Sequence, residues 1–270
     1  MPPEMFDRKR RRALHERAQM RSGDMFLWNT IAKEVGERLA LVTRTFDHIL
    51  FIGPIARWQD QILPGTAADV RHISADEDRL DMTPDQFDLV ISAGTLDSVN
   101  DVPGALIQIR RVLKPDGLFL GHMFGAGTLA MLKSMMMVAQ GEKASAHVHP
   151  QIDLRNAADL LARAGFALPV ADQDVMPVRY RGWRSIVRDV RDAGAGNALA
   201  GPRCFLGRTF LARKDDEWES RSDDQGKVTE YFSHIYLSGW APSPDQPKPL
   251  RRGSGQVSLT AILPGSTGGQ

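Results

Sequence analysis

Residues 86–123 read QFDLVISAGTLDSVNDVPGALIQIRRVLKPDGLFLGHM, and this stretch narrows the choice of fold furthest. Residues 87–92 form a short apolar, β-branched run of the length of one buried strand. Asp101 is placed to cap a helix, and Pro103 sits near its first turn, where a missing N–H costs nothing. Leu106, Ile109, Val112 and Leu113 then recur at helical spacing. Lys114-Pro115-Asp116-Gly117 ends that helix, and residues 118–123 supply a second buried strand. A strand–helix–strand unit with a crossover helix builds a parallel sheet covered on both faces, so the predicted class is α/β. Ligands of such sheets bind beyond the carboxyl ends of the strands. That rule marks Ser92, Ala93 and Gly94, together with residues 123–125, as the functional edge.

The rest of the chain extends this pattern. Phe26, Trp28, Ile31, Val35, Leu39 and Val42 space out an amphipathic helix over 25–42. Residues 46–53 (FDHILFIG) predict the first core strand, and 69–74 a second. Between them Ile55, Trp58, Ile62 and Leu63 share one helical face, ended by Pro64-Gly65. Residues 128–139 are apolar on several sides and read as a Met-rich core or lid helix. A loop over the site at 141–150, a helix over 152–164, one or two strands over 166–178 and a last strand over 229–240 complete the expected order. Residues 206–227 read as a poorly packed helical excursion. From Pro242 the chain turns Pro-, Gly- and Ser-rich, which predicts a flexible tail with a possible docking element at 259–263.

Composition limits the partners. Net charge is +1, so bulk electrostatics predicts neither a nucleic-acid nor a membrane partner. No apolar run approaches the ~20 residues of a membrane span. The lone Cys204 excludes an internal disulfide. The opening residues lack the apolar core of a secretory signal, and Glu4, Asp7 and Glu16 argue against a transit peptide, so the expected compartment is the cytoplasm. His147 and His149 have no third ligand type nearby, and no metal site is expected. Two basic features carry open readings. The run Arg8-Lys9-Arg10-Arg11-Arg12 reads as a solvated helix face or as a nucleic-acid or lipid patch, the solvated face being favoured for want of interleaved aromatics. Arg179, Tyr180, Arg181, Trp183 and Arg184 either bind an acidic peptide or ligand, or start a helix with arginines spread over the core, which is the favoured reading.

The phrases FDLVIS…LKPDGLFL resemble the fourth strand, following helix and fifth strand of class I S-adenosylmethionine-dependent methyltransferases. VNDVPGALIQIRRVLKPDGLFL is similar, more narrowly, to the methyltransferase-like family that contains mitochondrial complex I assembly factor 5 and its bacterial homologues. The malonyl-carrier methyltransferases are more distant relatives of the same pattern. MFDRKRRRALHER (5–17), HVHPQIDLRNAADLLARAGF (147–166) and IYLSGWAP (235–242) resemble further blocks of that family.

The resemblance implies a Rossmann-like, mainly parallel sheet with an antiparallel last strand. It implies one domain over 1–242: N-terminal helices (1–45), core sheet (46–178), helical excursion (179–228) and last strand (229–242), followed by the tail 243–270. It further implies that S-adenosylmethionine would lie over Gly53 and Pro54, with Asp76 or Glu77 near the adenine and Ser92, Ala93 and Gly94 beneath the sulfonium. For Asp76, Glu77 and Asp78 a plain solvated turn is an equal reading. No catalytic residue is named, because methyl transfer demands alignment rather than an obligatory base.

Three departures from the family pattern stand out. One glycine, Gly53, occupies a loop that carries two or three in relatives, and Pro54, Ile55 and Arg57 add bulk there. Asp97-Ser98 replaces a His-Trp pair. The interval from Gly53 to Asp76 is too short for two strand–helix units, so the sheet is expected to have six strands rather than seven, and the acid that would hold the ribose is missing. Two functions follow. One is a methyltransferase of unnamed acceptor, with the arginine hydroxylation known in the family as a variant. The other is a binding or assembly factor for a respiratory-complex subunit that has lost the cofactor. If S-adenosylmethionine binds, weak affinity is expected; under the second function no binding is expected.

Overall fold

Continuous apolar runs whose successive side chains point to opposite faces explain how one sheet carries two cores. The computed structural model describes residues 4–74, 77–140, 148–201 and 207–246. Two helices open the chain, α1 (Arg8–Gln19) and α2 (Phe26–Ala40), α1 being capped by Asp7, whose carboxylate accepts from the Arg10 N–H. Strand β1 (His48–Ile52) runs into a 3₁₀ turn (Pro54–Trp58) and a single-turn helix α3 (Gln59–Ile62) before β2 (Asp69–Ile73). Then come β3 (Phe87–Ala93), α4 (Val102–Val112), β4 (Leu113–Phe124), α5 (Ala130–Gln140) and α6 (Leu154–Arg163). The chain closes with β5 (Ala167–Tyr180), α7 (Trp183–Asp192), α8 (Arg208–Arg221) and β6 (Val228–Trp240).

The described strands form one six-stranded sheet in the order β2-β1-β3-β4-β6-β5. Strands β1 to β4 are mutually parallel, and β6 runs antiparallel to both of its neighbours. As the interval length required, β2 pairs directly with β1, from His48↔Asp69 to Ile52↔Ile73. Ile49, Phe51, Leu89 and Ile91 face α2, α5, α7 and α8, while Leu50, Ile52, Val90 and Phe119 face α4 and α6. All eight are fully buried, each worth about 1.5–3 kcal/mol relative to exposure.

Three local readings change. Residues 114–117 do not lie between helix and strand: α4 passes straight into β4 at Leu113, and a register break between Phe87 and Leu89 bulges Lys114–Gly117 out of the ladder. Asp116 takes φ 63° within that bulge. Residues 167–180 make one long strand, so Arg179 and Tyr180 end β5 and the helix starts only at Trp183. The charged segment packs well, because Phe210 and Trp218 of α8 are buried and Trp218 joins the core. The docking segment expected at 259–263 lies outside the described residues.

Candidate functional site

The carboxyl ends of β1 and β3 bring Gly53, Pro54, Ser92, Ala93 and Gly94 together. Gly53 has φ 91°, and a Cβ there would stand 2.5 Å from Thr95 Cγ2 and 2.7 Å from the Ala93 carbonyl. Gly94 has φ 77°, and its Cβ would stand 2.8 Å from Trp28 Cζ2 and closer still to Cη2. Both positions therefore require glycine, for backbone conformation and for space. Trp28 is in turn stacked on Trp58 at 5.3 Å, whose indole N–H donates to Asn29 Oδ1 at 2.8 Å. Pro54, Ile55, Ser92 and Ala93 are buried, and the Ser92 hydroxyl lies 3.3 Å from that of Thr95. The close approach that glycine permits is thus used by the chain's own Thr95 and Trp28.

The acidic loop is engaged in the same way. Asp76 lies outside the described residues, and Glu77 opens a short turn, Glu77–Arg79. Asp78 accepts two hydrogen bonds from the Arg8 guanidinium, at 2.9 and 2.6 Å. Burial alone would raise the Asp78 carboxyl, but the Arg8 hydrogen bonds and charge hold it below its ordinary value. Arg57 donates to the carbonyls of Gln19 and Arg21 at 3.4 and 3.3 Å rather than pointing toward the edge. As packed, these residues do not fit S-adenosylmethionine over Gly53 and Gly94.

Helix α1 holds the surrounding loops through Arg8, Arg10 and Arg11, which corrects the reading of its basic run as a solvated face for those three, while Lys9 and Arg12 are exposed as that reading expects. Arg11 is 2% exposed; its Nε donates to Ser98 Oγ at 3.1 Å and its Nη2 to the Thr95 carbonyl at 2.9 Å. Arg10 donates to the Leu199 carbonyl. Phe6 and Asn100 exchange two hydrogen bonds, Phe6 N–H to Oδ1 at 2.8 Å and Nδ2–H to the Phe6 carbonyl at 3.0 Å. The Phe6 ring also meets His149 edge-on at 4.9 Å, and His149 Nε2 accepts from the Ala198 N–H at 2.9 Å. Burial and the charge of Arg11 push both His149 and His15 down to about 4. Among the described residues no group of three His, Cys, Asp or Glu side chains is arranged to hold a metal, and His147 lies outside them. Sequence reasoning missed Arg11, Trp28 and Thr95; the only local signal was a bulky Trp on the inner face of an amphipathic helix.

Two cavities open at this end of the sheet. One of about 270 Å³ lies between α5 and α7, walled by Phe124, Leu132, Met136, Val187, Val190 and Phe232, with Arg191 on its rim. The other, about 320 Å³, lies on the opposite side against Phe6, Met123 and Leu160. They share Asp97, Phe124, Pro150 and Gln151. Gln151 is fixed, its Nε2 donating to the Thr128 carbonyl at 2.7 Å and its Oε1 accepting from the Gly127 N–H at 3.2 Å. The 125–128 turn therefore sits at the cavity wall. Of the loop expected over the site, 141–147 lie outside the described residues and 148–150 line the first cavity.

Deeper in the sheet, His122 of β4 faces His234 of β6, Nε2 to Nδ1 at 2.9 Å. Burial, with the neighbouring imidazole and Arg38, drives His122 well down, and burial lowers His234 to about 4. The pair is therefore neutral. Arg38 lies 3.9 Å over the Tyr236 ring beside it.

Comparison with known proteins agrees with this fold. The profile described as a methyltransferase domain matches residues 53–121. The arginine-hydroxylase NDUFAF5, mitochondrial, of Danio rerio is 36% identical over 194 residues, covering 70% of this chain and 60% of that protein. The Homo sapiens protein of the same name is 36% identical over 191 residues, covering 69% and 55%. The malonyl-[acyl-carrier protein] O-methyltransferase of Methylovorus sp. is 34% identical over 176 residues, covering 64% and 58%. The chain thus spans 55–60% of the length of these relatives. A solved structure of a candidate methyltransferase from Bacillus halodurans superposes with TM-score 0.51 at 12% identity, covering 78% of this chain and 99% of that one, a likeness of fold alone. Fold and sequence together give this chain a Rossmann-like methyltransferase fold and a resemblance to the NDUFAF5 homologues.

Proposed function

We propose that the chain is a binding factor of assembly type, built on a methyltransferase scaffold that no longer holds S-adenosylmethionine at the Gly53–Gly94 edge. The observation that carries this reading is the packing of the Trp28 ring on Gly94, at the position the family resemblance assigns to the cofactor. The Thr95 contact at Gly53, the Arg8–Asp78 pair and the short 54–68 connection support it. By resemblance to the assembly-factor family, the partner proposed is a protein subunit of a respiratory complex. The compartment proposed is the cytoplasm, on composition; among the described residues no helix is long and apolar enough to cross a membrane. Titration calorimetry with S-adenosylmethionine on the folded chain tests the reading. No heat up to millimolar ligand is expected. Micromolar binding that Asp76→Ala abolishes would overturn it.

A second reading, methyl transfer to an acceptor not identified by the site, is favoured by the match of 53–121 to a methyltransferase domain and by the 270 Å³ cavity beside Phe124. It requires Trp28 to leave Gly94. Under this reading Trp28→Ala strengthens cofactor binding; under the first it leaves the titration silent.

A further inference from the structure

The basic and aromatic cluster around Trp183 separates in space into an inner and an outer part. Trp183 is 9% exposed and turned into the core. Its ring already carries the Lys214 ammonium at 3.3 Å and the Arg184 guanidinium at 4.3 Å, and its N–H donates to Asp215 at 2.6 Å. The outer part is arginine. Arg181, Arg184, Arg188 and Arg191 are all exposed, and the last three recur at helical spacing on one side of α7. Asp215 lies 3.4 Å from Arg184 and Asp189 lies 3.6 Å from Arg188. Neither Arg181 nor Arg191 enters an ion pair among the described residues. In a chain whose net charge is only +1, this stripe is a local excess of positive charge. It ends at Arg191, on the rim of the 270 Å³ apolar cavity.

We propose that the arginine stripe of α7 and the cavity beside Arg191 together receive an acidic protein segment that seats one apolar side chain in the cavity. This names the partner chemistry of the binding reading above and rests on it. Charge complementarity sets the sign of the partner. The cavity sets its class, because a pocket of side-chain size adds anchoring only for a ligand that carries such a side chain. A lipid surface fits less well: the apolar face of α7, with Trp183 and Ile186, is buried and has nothing to insert. A nucleic acid fits less well too, since the ring of the cluster is committed to Lys214 and Arg184 and offers no stacking platform.

The test uses a fluorescein-labelled glutamate-rich peptide with a single central tryptophan, followed by anisotropy against the full chain. Binding that weakens as salt rises is expected. Arg181→Gln/Arg188→Gln/Arg191→Gln should weaken it about tenfold, the order that a few exposed ion pairs supply. Replacing the peptide tryptophan by alanine should cost tenfold or more against the native chain. The same replacement should cost nothing further against Val190→Trp, which fills the cavity. No binding, binding indifferent to the triple variant, or capture by phosphatidylserine vesicles without capture of the peptide would overturn the proposal. S-adenosylmethionine titrated into the same sample separates the two readings. Cofactor binding with peptide binding intact sinks the scaffold reading alone, and a silent cofactor with no peptide binding sinks this one alone.

Discussion

The ring of Trp28 lies against Gly94, in the position a side chain on Gly94 would need. Because φ at Gly94 is 77°, two penalties coincide there, the left-handed backbone and the clash with an indole that is itself held by Trp58. Gly94→Ala is expected to lower stability by about 2–4 kcal/mol, summing backbone strain of ~1 and overpacking of ~1–3 kcal/mol. Urea unfolding of the two proteins checks this. A loss below about 1 kcal/mol would mean that Trp28 moves aside freely, and the proposed closure of the edge would lose its physical basis.

The Arg8–Asp78 pair ties α1 to the loop after β2. Asp78→Asn should cost about 1–3 kcal/mol near pH 7, the range for a hydrogen-bonded charge of which one partner is removed. The sign with pH follows from the lowered carboxyl. Its stabilisation is fully present above the unfolded value of 3.8 and is lost as pH falls through the lower folded value. The gap between native and variant should therefore close in acid, as read by unfolding curves at pH 6 and pH 3. A gap unchanged between those two would rule out the ion pair as its source.

The buried His122–His234 pair predicts acid sensitivity of a different range. Unfolded imidazoles titrate near 6.5, whereas burial holds His234 near 4 and His122 well below its ordinary value. Between those values the unfolded chain binds protons that the folded chain refuses, so stability falls as pH drops from about 6.5 toward 4. Replacing both residues by leucine removes both hydrogen-bonding partners at once, which is nearly neutral at pH 7. At pH 5 the double variant should be the more stable protein. Parallel pH profiles for the two would refute this account.

Lys214 offers the opposite limb of the pH scale. Burial, with Arg184 nearby, lowers its ammonium to about 8 from 10.5. From pH 8 to 10.5 the unfolded chain keeps a proton that the folded chain releases, so this residue makes stability rise with pH over that interval. Lys214→Met should flatten the rise while keeping the packing on Trp183 and Phe210. Thermal unfolding at pH 8 and pH 10 measures it, and an unchanged slope would assign the rise elsewhere.

Local pattern was sufficient for much of the fold. Near-continuous apolar runs in β1 and β3, the Asp101 cap and the 3.6-residue spacing of α4 are set by neighbours a few residues apart, and such short-range chemistry is written directly in the chain. Even the strand count was legible, because the number of residues between Gly53 and Asp76 bounds the elements that fit there. The bulge at 114–117 was not, since it comes from the register of β4 on β3, a pairing between separate segments.

The state of the candidate site lay further out of reach. That glycine stands at positions 53 and 94 is plain from the sequence, but what each glycine makes room for is decided by groups distant along the chain. Trp28 reaches Gly94 from α2, 66 positions away, and Arg11 meets Ser98 across 87. An amphipathic helix shows which of its residues turn inward, yet not which part of the sheet they will meet. A run of arginines likewise carries the same charge whether it faces water or, as with Arg8 and Arg11, the carboxylate and carbonyl groups of a distant loop. Sequence determined the strands, the helices and their number; only the tertiary packing of α1 and α2 decided that Trp28 covers Gly94 and that Arg11 reaches Ser98, because burial is a property of where elements dock and not of the residues that compose them.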